Sequence, residues 1–582
     1  MIAAVLLWLP IAYFRGVYRA IFRVAGAGTM IGLARACGLL AAPLTLLFVL
    51  FPVPDLPRTI SVLQPLIFFV LLCLSRITAR YLFIEVRGQR LYDGVQKRVL
   101  IYGAGAAGQQ LAASIRHEPS MSLSAYIDDD GRLDGQVLDG IPIYHSAKLG
   151  RTVERLEISD VLLAIPAAGR SKRKKIVRGL EDYPVHVQTL PNMRAIMDGR
   201  VSINDLRELK VEDLLGRDPV APNQLLLGRT IVGKTVLVTG AGGSIGGELC
   251  RQIIKLQPKT LILLEMSEYA LYSIEQELRE QLSENQFSNP PEILPYIANA
   301  TDASRIRTIF ARCQPATVFH AAAYKHVPLV EANPTEGLRN NVVGTLIAAK
   351  EAERAGVKNF ILISTDKAVR PTNIMGASKR LCELILQALA ARGSTTKFAM
   401  VRFGNVLGSS GSVVPQFERQ IQAGGPITLT HKDITRYFMT IPEAAQLVIQ
   451  SGAMAIGGEV YVLDMGTPVK ISELAKTMVR LAGLTVRDAE HPDGDIEIVE
   501  IGLRQGEKLY EELLIGGNPQ PTKHQRIMRA DEAFIPWGEL EERLQRLQLA
   551  LQDGDELQAI ALLSDAVPEF KPQTATLTAK SA

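Results

Sequence analysis

The sequence has few cysteines and histidines, and neither residue type is arranged for a disulfide framework or a metal site. The five cysteines are scattered with no C-x-x-C pair, and the eight histidines show no metal-ligand spacing. Scattered thiols are typical of proteins from a reducing compartment. The formal net charge of +4 over 582 residues gives no basis for nucleic-acid binding. We therefore predict no bound metal and no nucleic-acid partner for this chain, which is long enough for about three structural units.

Acidic side chains are almost absent from residues 1–75, where Asp55 is the only one. Apolar segments occupy residues 1–14, 31–51 and 60–84. The second and third are long enough to cross a bilayer, whereas the first is short and lacks the basic start and cleavage site of a signal peptide. We predict about three transmembrane helices within residues 1–90, and the sequence leaves open whether this set is truncated at its start. The alternative is a buried helical hairpin of a soluble domain.

The placement of Lys and Arg predicts how these helices are oriented. Arg15, Arg19 and Arg23 follow the first segment, and a further basic group lies at residues 76–98. The loop at 52–58 has one Arg and one Asp. Because basic residues favour the cytoplasmic side, both basic flanks and the globular remainder are predicted to lie in the cytoplasm. The lipid bilayer is therefore a predicted partner of this multi-pass protein.

Residues 97–190 are predicted to form a first Rossmann-like nucleotide-binding domain. A buried strand leads into a G-x-G-x-x-G turn from Gly103 to Gly108, and a helix follows. About twenty residues later a second strand ends in Asp128, a spacing that suits an acid on a ribose hydroxyl. No catalytic constellation follows, so the site could bind a nucleotide or be empty or regulatory. Residues 191–230 are interpreted as a linker.

A second glycine-rich turn opens the domain that we predict at residues 231–535. The turn follows a short buried strand, and its residues are Gly240, Gly243, Ser244, Ile245 and Gly246. Glycines allow the backbone to approach a pyrophosphate that rests on the helix N-terminus. The next strand ends in Glu265, whose carboxylate suits a ribose diol and repels a phosphate. This pattern predicts NAD rather than NADP as the cofactor.

The chemistry-bearing segment lacks the tyrosine of a short-chain dehydrogenase active site. The Tyr-x-x-x-Lys pattern is replaced by Met375 and Lys379, and a thioether has no proton to transfer. Thr365, Asp366 and Lys367 follow a buried strand at its carboxyl end, where open α/β sheets place ligands. Asp366 and Lys367 are the candidate acid and base. A dehydratase, which needs extra proton transfers, fits better than a plain dehydrogenase or epimerase.

Six motifs together resemble one family. They begin at Thr239 (TGAGGSIG), His320 (HAAAYKHVP), Asn340 (NNVVGT), Ser364 (STDK), Arg402 (RFGNVLGS) and Arg436 (RYFMTIPE). They resemble the membrane-bound nucleotide-sugar 4,6-dehydratases of bacterial polysaccharide synthesis, the CapD type, whose longer members also have Met at the tyrosine position. The resemblance covers nearly the whole chain and implies tightly held NAD, UDP-N-acetylglucosamine as substrate and the bacterial inner membrane as location.

The predicted fold class is α/β, with N-terminal transmembrane helices followed by two Rossmann-like doubly wound domains. The resemblance makes the second of these an extended short-chain dehydrogenase fold with a UDP-sugar subdomain. Residues 536–582 are predicted to form C-terminal helices and a disordered tail, and we expect a homo-oligomer.

The resemblance also implies roles for individual residues. Thr365 would hydrogen-bond the C4 hydroxyl of the sugar, and Asp366 would protonate the C6 hydroxyl. Lys367 would remove the C5 proton if its pKa is lowered by burial or by a nearby cation such as Lys379. Asp366 or an ordered water would take the C4 proton in place of the tyrosine.

Further residues are assigned to the cofactor and to the substrate. Lys379 would hold the nicotinamide ribose, and other cofactor contacts are implied for Glu265, Asn299, Ala300, Ala322 and Ala323. Two of these depart from the family, since Asp is commoner at the positions of Glu265 and Asn299. Substrate contacts are implied for Lys325, His326, Asn405, Arg436 and Arg504, the last three near the diphosphate, where arginine binds with two-pronged geometry.

Two other functions stay open at this point. A UDP-sugar epimerase on the same fold is the first, although C4 epimerisation normally uses the tyrosine that is missing here. A non-catalytic, NAD-binding membrane scaffold of glycan assembly is the second. The sequence does not indicate which glycan uses the product or the stereochemistry at C5.

Overall fold

The structure is a computed structural model that describes most of the chain. It covers residues 2–15, 27–51, 59–80, 97–116, 120–166, 168–180, 185–190, 206–209, 222–284, 289–504, 506–514 and 519–571, with the single residues 57, 118, 183, 220 and 287. The predicted disordered tail at 571–582 except for its first residue, most of the linker, and the basic residues Arg19, Arg23, Arg87 and Arg90 lie outside these residues. The chain divides into two compact units. One comprises Met1–Pro166 and Leu190–Arg207, and the other comprises Ala167–Thr189 and Glu208–Ala582.

Three apolar helices begin the first unit. They are α1 (Ile2–Phe14), α2 (Ala27–Leu50) and α3 (Ile60–Arg80). Trp8 and Leu44 belong to a buried cluster between them, whereas Leu46 and Val70 are exposed by 60% and 56%. Within the described residues, Met30–Leu50 is the one segment long and apolar enough to cross a membrane, with a mean hydropathy of 2.0. The prediction of three membrane crossings therefore requires that two shorter helices, α1 and α3, also cross the membrane.

A mostly parallel sheet follows in the first unit. Its strands are β1 (Lys97–Tyr102), β2 (Met121–Asp128), β3 (Val137–Leu138), β4 (Ile141–His145) and β5 (Asp160–Leu163). Their order is β3-β4-β2-β1-β5, and the β3–β4 pair is antiparallel. Helices α4 (Ala106–Ile115) and α5 (Leu149–Arg155) connect them. The last four residues of β1 are buried, as expected for an apolar central strand of a parallel sheet. Four elements follow, namely α6 (Arg170–Arg178), β6 (His186–Thr189), β7 (Arg207–Glu208) and α7 (Gln224–Arg229).

The main sheet of the second unit has nine strands. Seven are parallel, namely β8 (Thr235–Thr239), β9 (Thr260–Glu265), β10 (Glu292–Ile297), β11 (Thr317–His320), β12 (Asn359–Ile363), β13 (Lys397–Arg402) and β18 (Glu459–Leu463). Two antiparallel strands at one end, β22 (Gln520–Pro521) and β23 (Ile527–Ala530), complete it. The order is β10-β9-β8-β11-β12-β13-β18-β23-β22. This is the doubly wound Rossmann order, which reverses beside β8 and so opens a ligand crevice there.

Helices cover both faces of this sheet because its strands are apolar on both sides. One face packs against α8 (Ser244–Lys255), α9 (Glu268–Glu284) and α16 (Ile441–Met454). The other packs against α10 (Ala303–Cys313), α13 (Gly344–Arg354), α14 (Ile374–Ala391), α18 (Trp537–Asp553) and α19 (Glu556–Ala566). Neighbours in a strand alternate between the two cores, as Val236 and Leu237 do. Two short helices, α11 (Val327–Ala332) and α12 (Pro334–Leu338), follow β11.

A smaller subdomain lies beyond the carboxyl ends of the strands. Its elements are β14 (Asn405–Val406), α15 (Val413–Gln422), β15 (Ile427–Leu429), β16 (Thr435–Arg436), β17 (Phe438–Met439), β19 (Val469–Lys470), α17 (Ile471–Leu481), β20 (Val486–Arg487) and β21 (Ile496–Glu500). It has a core of its own, built around Phe417, Ile427 and Ile471. The subdomain therefore forms a second wall opposite the sheet.

Candidate active site

A cavity of about 930 Å³ lies in the second unit at the carboxyl ends of its parallel strands. The glycine-rich turn after β8, the segment after β12, α14 and the subdomain all contribute to its lining. This volume suits a ligand of considerable size. The position agrees with the place where open α/β sheets bind ligands.

The glycine-rich turn needs its glycines for steric reasons. Gly240 has φ +64°, and a Cβ there would lie 2.8 Å from the backbone nitrogen of Ala322. A Cβ on Gly246 would lie 1.9 Å from the carbonyl oxygen of Gly240, so only glycine fits. Helix α8 begins at Ser244 and directs its free N–H groups toward the cavity, which Ser244 and Ile245 also line. The turn is thus shaped to receive an anionic group.

Glu265 lies at the end of β9 with its carboxylate against the glycine-rich turn. Its Oε2 accepts a hydrogen bond of 3.0 Å from the backbone N–H of Gly242, and its Oε1 accepts from those of Met266 and Ser267. The acid is therefore fixed beside the turn, where a ribose diol would need it. This donor and acceptor set fits a dinucleotide such as NAD.

Four residues predicted to contact the cofactor do not line the cavity. Asn299 accepts hydrogen bonds from both the backbone N–H and the hydroxyl of Thr301, and Ala300 is buried. The backbone N–H of Ala322 donates to the hydroxyl of Thr239, while Ala323 does line the cavity. Glu265 is likewise absent from the lining. The predicted cofactor residues are thus divided between the cavity wall and the layer behind it.

Thr365, Asp366 and Lys367 form a hydrogen-bonded group after β12. The Thr365 hydroxyl donates to Asp366 Oδ1 at 2.8 Å, and Lys367 Nζ donates to the same oxygen at 3.0 Å. Lys367 Nζ also donates to Asn405 Oδ1 at 3.1 Å. Thr365 and Lys367 line the cavity, whereas Asp366 is fully buried behind them. Asp366 therefore reaches the cavity through its two neighbours rather than directly.

To act as a base, Lys367 would have to be an uncharged amine, but its surroundings favour the charged ammonium form. Burial disfavours the ammonium form, but Asp366 and Glu511 outweigh burial, so the pKa of Lys367 is raised above its ordinary value. The cation that acts against this rise is Arg436, and Lys379 is not among the groups that shift it. The lowered pKa that the role of base requires is therefore not met by Lys367 in this state of the protein. The physical reason is that two carboxylates face one ammonium.

Met375 and Lys379 lie one helical turn apart on α14, and both line the cavity. Met375 is 3% exposed and takes the position that the missing tyrosine would have. Burial lowers the pKa of Lys379, with Cys382 and Glu383 acting in the opposite sense. A buried lysine facing a cavity is available to hydrogen-bond a polar ligand.

All five predicted substrate residues line the cavity, namely Lys325, His326, Asn405, Arg436 and Arg504. Arg436 is buried, and its guanidinium donates at 3.1 Å to Glu507. Arg504 is exposed, and its backbone N–H donates to the same Glu507. A Cβ on Gly411 would lie 2.5 Å from the imidazole of His326, so the loop at Gly411 closes directly over that ring.

Sequence reasoning missed Glu511, which lines the cavity with its side chain 3% exposed. Its carboxylate lies 3.6 Å from Lys367 Nζ and 3.9 Å from Arg436 Nε. No motif or spacing connects it with Lys367, because 144 residues separate them and only the fold brings them together. The sequence feature that comes nearest to identifying Glu511 is its position shortly after Arg504, a predicted substrate residue.

A buried ionic cluster supports the strand end from behind. The hydroxyl of Ser364 donates to Glu383 at 2.7 Å, and Arg402 pairs with Glu383 at 2.5 Å and with Glu532 at 2.6 Å. Arg380 also pairs with both acids, at 3.2 and 3.0 Å. These side chains are almost completely buried, so each charge depends on the others. The cluster fixes the residue that immediately precedes Thr365.

Comparison with known families and proteins agrees with this architecture. Residues 236–532 match a family described as polysaccharide biosynthesis protein, and residues 14–191 match one described as CoA-binding domain. The capsular polysaccharide biosynthesis protein CapD of Staphylococcus aureus is 43% identical over 439 residues, which cover 75% of this chain and 71% of that protein. The chain belongs to the CapD-type polysaccharide biosynthesis family.

Two further relatives show the range of this family. The probable polysaccharide biosynthesis protein EpsC of Bacillus subtilis (strain 168) is 42% identical over 443 residues, covering 76% of this chain and 71% of that protein. A protein named UDP-glucose 4-epimerase from Rickettsia rickettsii (strain Sheila Smith) is 32% identical over 285 residues, covering 49% of this chain and 78% of that protein. The CapD-type chain thus combines a catalytic unit of the short-chain dehydrogenase type with a separate N-terminal unit.

Proposed function

We propose that this CapD-type protein is an NAD-dependent UDP-N-acetylglucosamine 4,6-dehydratase that supplies polysaccharide or glycan synthesis. The observation that carries the proposal is the group Thr365–Asp366–Lys367 in a cavity where Met375 replaces the tyrosine. Such a site has an acid and a base but no phenol at the Tyr-x-x-x-Lys position, which suits elimination of water better than simple hydride exchange.

The cofactor side of the cavity supports the assignment of NAD. The turn from Gly240 to Gly246 would hold the pyrophosphate, Glu265 the adenosine ribose and Lys379 the nicotinamide ribose. When bound, NAD supplies a hydride acceptor for C4 of the sugar and a hydride donor for C6. The carboxylate of Glu265 makes a 2′-phosphate unfavourable, so the preference is for NAD over NADP.

The C4 hydroxyl proton is assigned a route through Thr365 to Asp366. Thr365 lines the cavity and already donates to Asp366 Oδ1, so it can accept a proton from the sugar and pass its own to the carboxylate. The same hydroxyl then returns the proton from Asp366 to the C6 hydroxyl. The water that leaves therefore consists of the C6 hydroxyl and the proton first released at C4, and the proton balance closes.

Lys367 is assigned as the base that removes the C5 proton, which the C4 ketone makes acidic. The amine must be neutral at that moment, and the resulting ammonium returns a proton to C5 when hydride arrives at C6. On the substrate side, Arg436, Arg504 and Asn405 would bind near the UDP diphosphate, and Lys325 and His326 would line the sugar site. Arginine provides the paired N–H groups that phosphate oxygens accept.

We further propose that the protein is a multi-pass protein of the bacterial inner membrane with its catalytic unit in the cytoplasm. The support is the apolar segment Met30–Leu50, the exposed apolar side chains of α2 and α3, and the basic residues that flank them in the sequence. We keep the expectation of a homo-oligomer, which light scattering of the detergent-extracted protein would test. A monomer under those conditions would contradict it.

A second candidate function is a UDP-sugar epimerase. The observation in its favour is the similarity to the Rickettsia protein of that name. The absence of a tyrosine beside Lys379 counts against C4 epimerisation, because Met375 cannot exchange a proton. The scaffold alternative is disfavoured because Thr365, Asp366 and Lys367 are hydrogen-bonded at the cavity wall.

The deciding experiment incubates the full-length, detergent-extracted protein with UDP-N-acetylglucosamine and follows the sugar nucleotide by mass spectrometry. Loss of one water without net NADH supports 4,6-dehydration. An unchanged mass with a new isomer in the NMR spectrum supports the epimerase. No change with any UDP-sugar while NAD stays bound supports the scaffold and contradicts both enzymatic functions.

A further inference from the structure

Glu511 is a second carboxylate beside Lys367, in addition to Asp366. Lys367 Nζ is 3.0 Å from Asp366 Oδ1 and 3.6 Å from Glu511 Oε1. The second oxygen of each carboxylate, Asp366 Oδ2 and Glu511 Oε2, is buried and accepts no hydrogen bond from the described residues. Two buried acids therefore share one ammonium, and each has an oxygen that is free to take a proton.

This arrangement creates a chemical requirement if the proposed function is correct. Lys367 can remove the C5 proton only after it has lost its own extra proton. Asp366 is unsuitable as the acceptor, because it must be free to take the proton that the C4 hydroxyl releases. The remaining acid within reach of Lys367 Nζ, among the residues that the structure describes, is Glu511.

We infer that Glu511 holds the proton of Lys367 during the elimination, and so converts an ammonium into the amine that acts as base. One N–H bond of Lys367 breaks, and one O–H bond forms on Glu511. The amine then takes the C5 proton and later returns a proton to C5, after which Glu511 gives its proton back to Lys367. Glu511 acts through Lys367 and does not touch the sugar, so it is a positioning residue.

The surroundings of Glu511 favour this exchange. Burial raises the pKa of Glu511, and Asp366 adds to the rise, whereas Lys367, Arg436 and Lys508 oppose it. Glu507, which pairs with Arg436, is the other nearby acid on this wall of the cavity. Entry of a substrate that expels water would disfavour separated charges further, which shifts the Lys367–Glu511 pair toward its neutral form.

The test compares the full-length protein with its E511Q variant in single-turnover reactions with UDP-N-acetylglucosamine in heavy water. The amide has the shape of the acid but cannot hold the proton. Oxidation at C4 uses Thr365 and Asp366, so we expect E511Q to form and accumulate NADH. Loss of water and deuterium incorporation at C5 should both fall by about 100-fold or more. The residual rate should rise with pH, since the Lys367 proton must then leave to solvent.

Matched variants separate a chemical role from a structural one. E512Q makes the same change at the next residue, whose carboxylate pairs with Arg370 at the surface, and we expect wild-type behaviour. E511D keeps a carboxylate with shorter reach and should recover part of the C5 exchange. Thermal unfolding and NAD content of E511Q should match those of the wild type.

Two results would overturn the inference. Water loss by E511Q at the wild-type rate would show that Lys367 needs no help from Glu511. Failure of a folded, NAD-containing E511Q to oxidise C4 would show that Glu511 serves binding rather than the base. If the wild-type protein itself removes no water from any UDP-sugar, the proposed function fails and this inference falls with it.

Discussion

The two glycine-rich turns of this chain are alike in backbone and different in what surrounds them. In the first unit a Cβ on Gly108 would lie 1.9 Å from the carbonyl oxygen of Gly103, the same distance as between Gly246 and Gly240 in the second unit. In each unit an acid at the end of the neighbouring strand accepts a backbone N–H from the turn. Asp128 accepts from Ala104 at 2.8 Å, and the equivalent bond to Glu265 comes from Gly242 at 3.0 Å.

The difference lies in the strand ends beyond the turn. In the first unit β5 runs into Ala164, Ile165 and Pro166, which have no ionisable groups. In the second unit the strand that corresponds to β5 is β11, which likewise runs into alanines at 321–323, and it is the next strand, β12, that leads into Thr365–Asp366–Lys367. A glycine-rich turn with its acid is therefore a property of the fold, and the chemistry depends on residues that other strands deliver.

The largest expected effect comes from removing the lysine that distinguishes the second unit. Lys367→Ala should lower turnover by about 10²- to 10⁴-fold, because Lys367 is the group assigned to take the C5 proton. NAD content should not change, since Lys367 contacts Asp366, Asn405 and Glu511 and lies away from the glycine-rich turn. Turnover is measured by mass spectrometry, with the surface variant Lys470→Ala as the control. Normal turnover by Lys367→Ala would refute its role as base.

Paired glycine substitutions test whether the two turns serve the same purpose. Gly246→Ala should abolish NAD binding and turnover, because its Cβ would overlap the Gly240 carbonyl oxygen. Gly108→Ala introduces the same overlap in the first unit but should leave NAD content and turnover of the folded protein unchanged. For each variant, the amounts of bound NAD and of product are measured per mole of purified protein. Loss of turnover in Gly108→Ala with NAD retained would mean that the first turn contributes to the reaction.

Substitution of the two acids, Glu265 and Asp128, tests the same comparison and should have a smaller effect. Glu265→Gln should weaken NAD binding by about tenfold or more, because it replaces a charged hydrogen-bond acceptor near the ribose. Asp128→Asn should leave the affinity for NAD as it is. Titration of NAD into cofactor-stripped protein, followed by fluorescence, measures both. Equal loss in the two variants would indicate that the first unit also binds NAD.

The smallest expected effect is at the tyrosine position. Met375→Leu conserves volume and should change turnover by less than about tenfold, because the thioether transfers no proton. Met375→Tyr introduces a phenol next to the C4 hydroxyl and should alter the pH dependence of the reaction. Initial rates across a pH series measure both variants. An unchanged profile for Met375→Tyr would count against Asp366 as the acceptor of the C4 proton.

Local patterns in the sequence predicted much of this architecture. The strand, turn and helix around Gly240 and the placement of Thr365, Asp366 and Lys367 after a buried strand follow from short-range signals. The pairing of Glu511 with Lys367 could not be predicted, because it joins segments that are distant in sequence. The pKa of Lys367 is raised partly by that pairing, together with Asp366, so the condition set for its role as base could not be checked from the sequence.

The buried cluster of Arg380, Glu383, Arg402 and Glu532 limits how far this enzyme can be shortened. Glu532 follows the last strand of the sheet, yet it neutralises an arginine at the end of β13. A fragment that stops before Glu532 would retain every residue around the cavity and still contain an uncompensated guanidinium at its centre. Removing one partner of a buried ion pair costs about 3–5 kcal/mol. The smallest independently folding catalytic fragment is thus defined by charge neutrality and extends at least to Glu532.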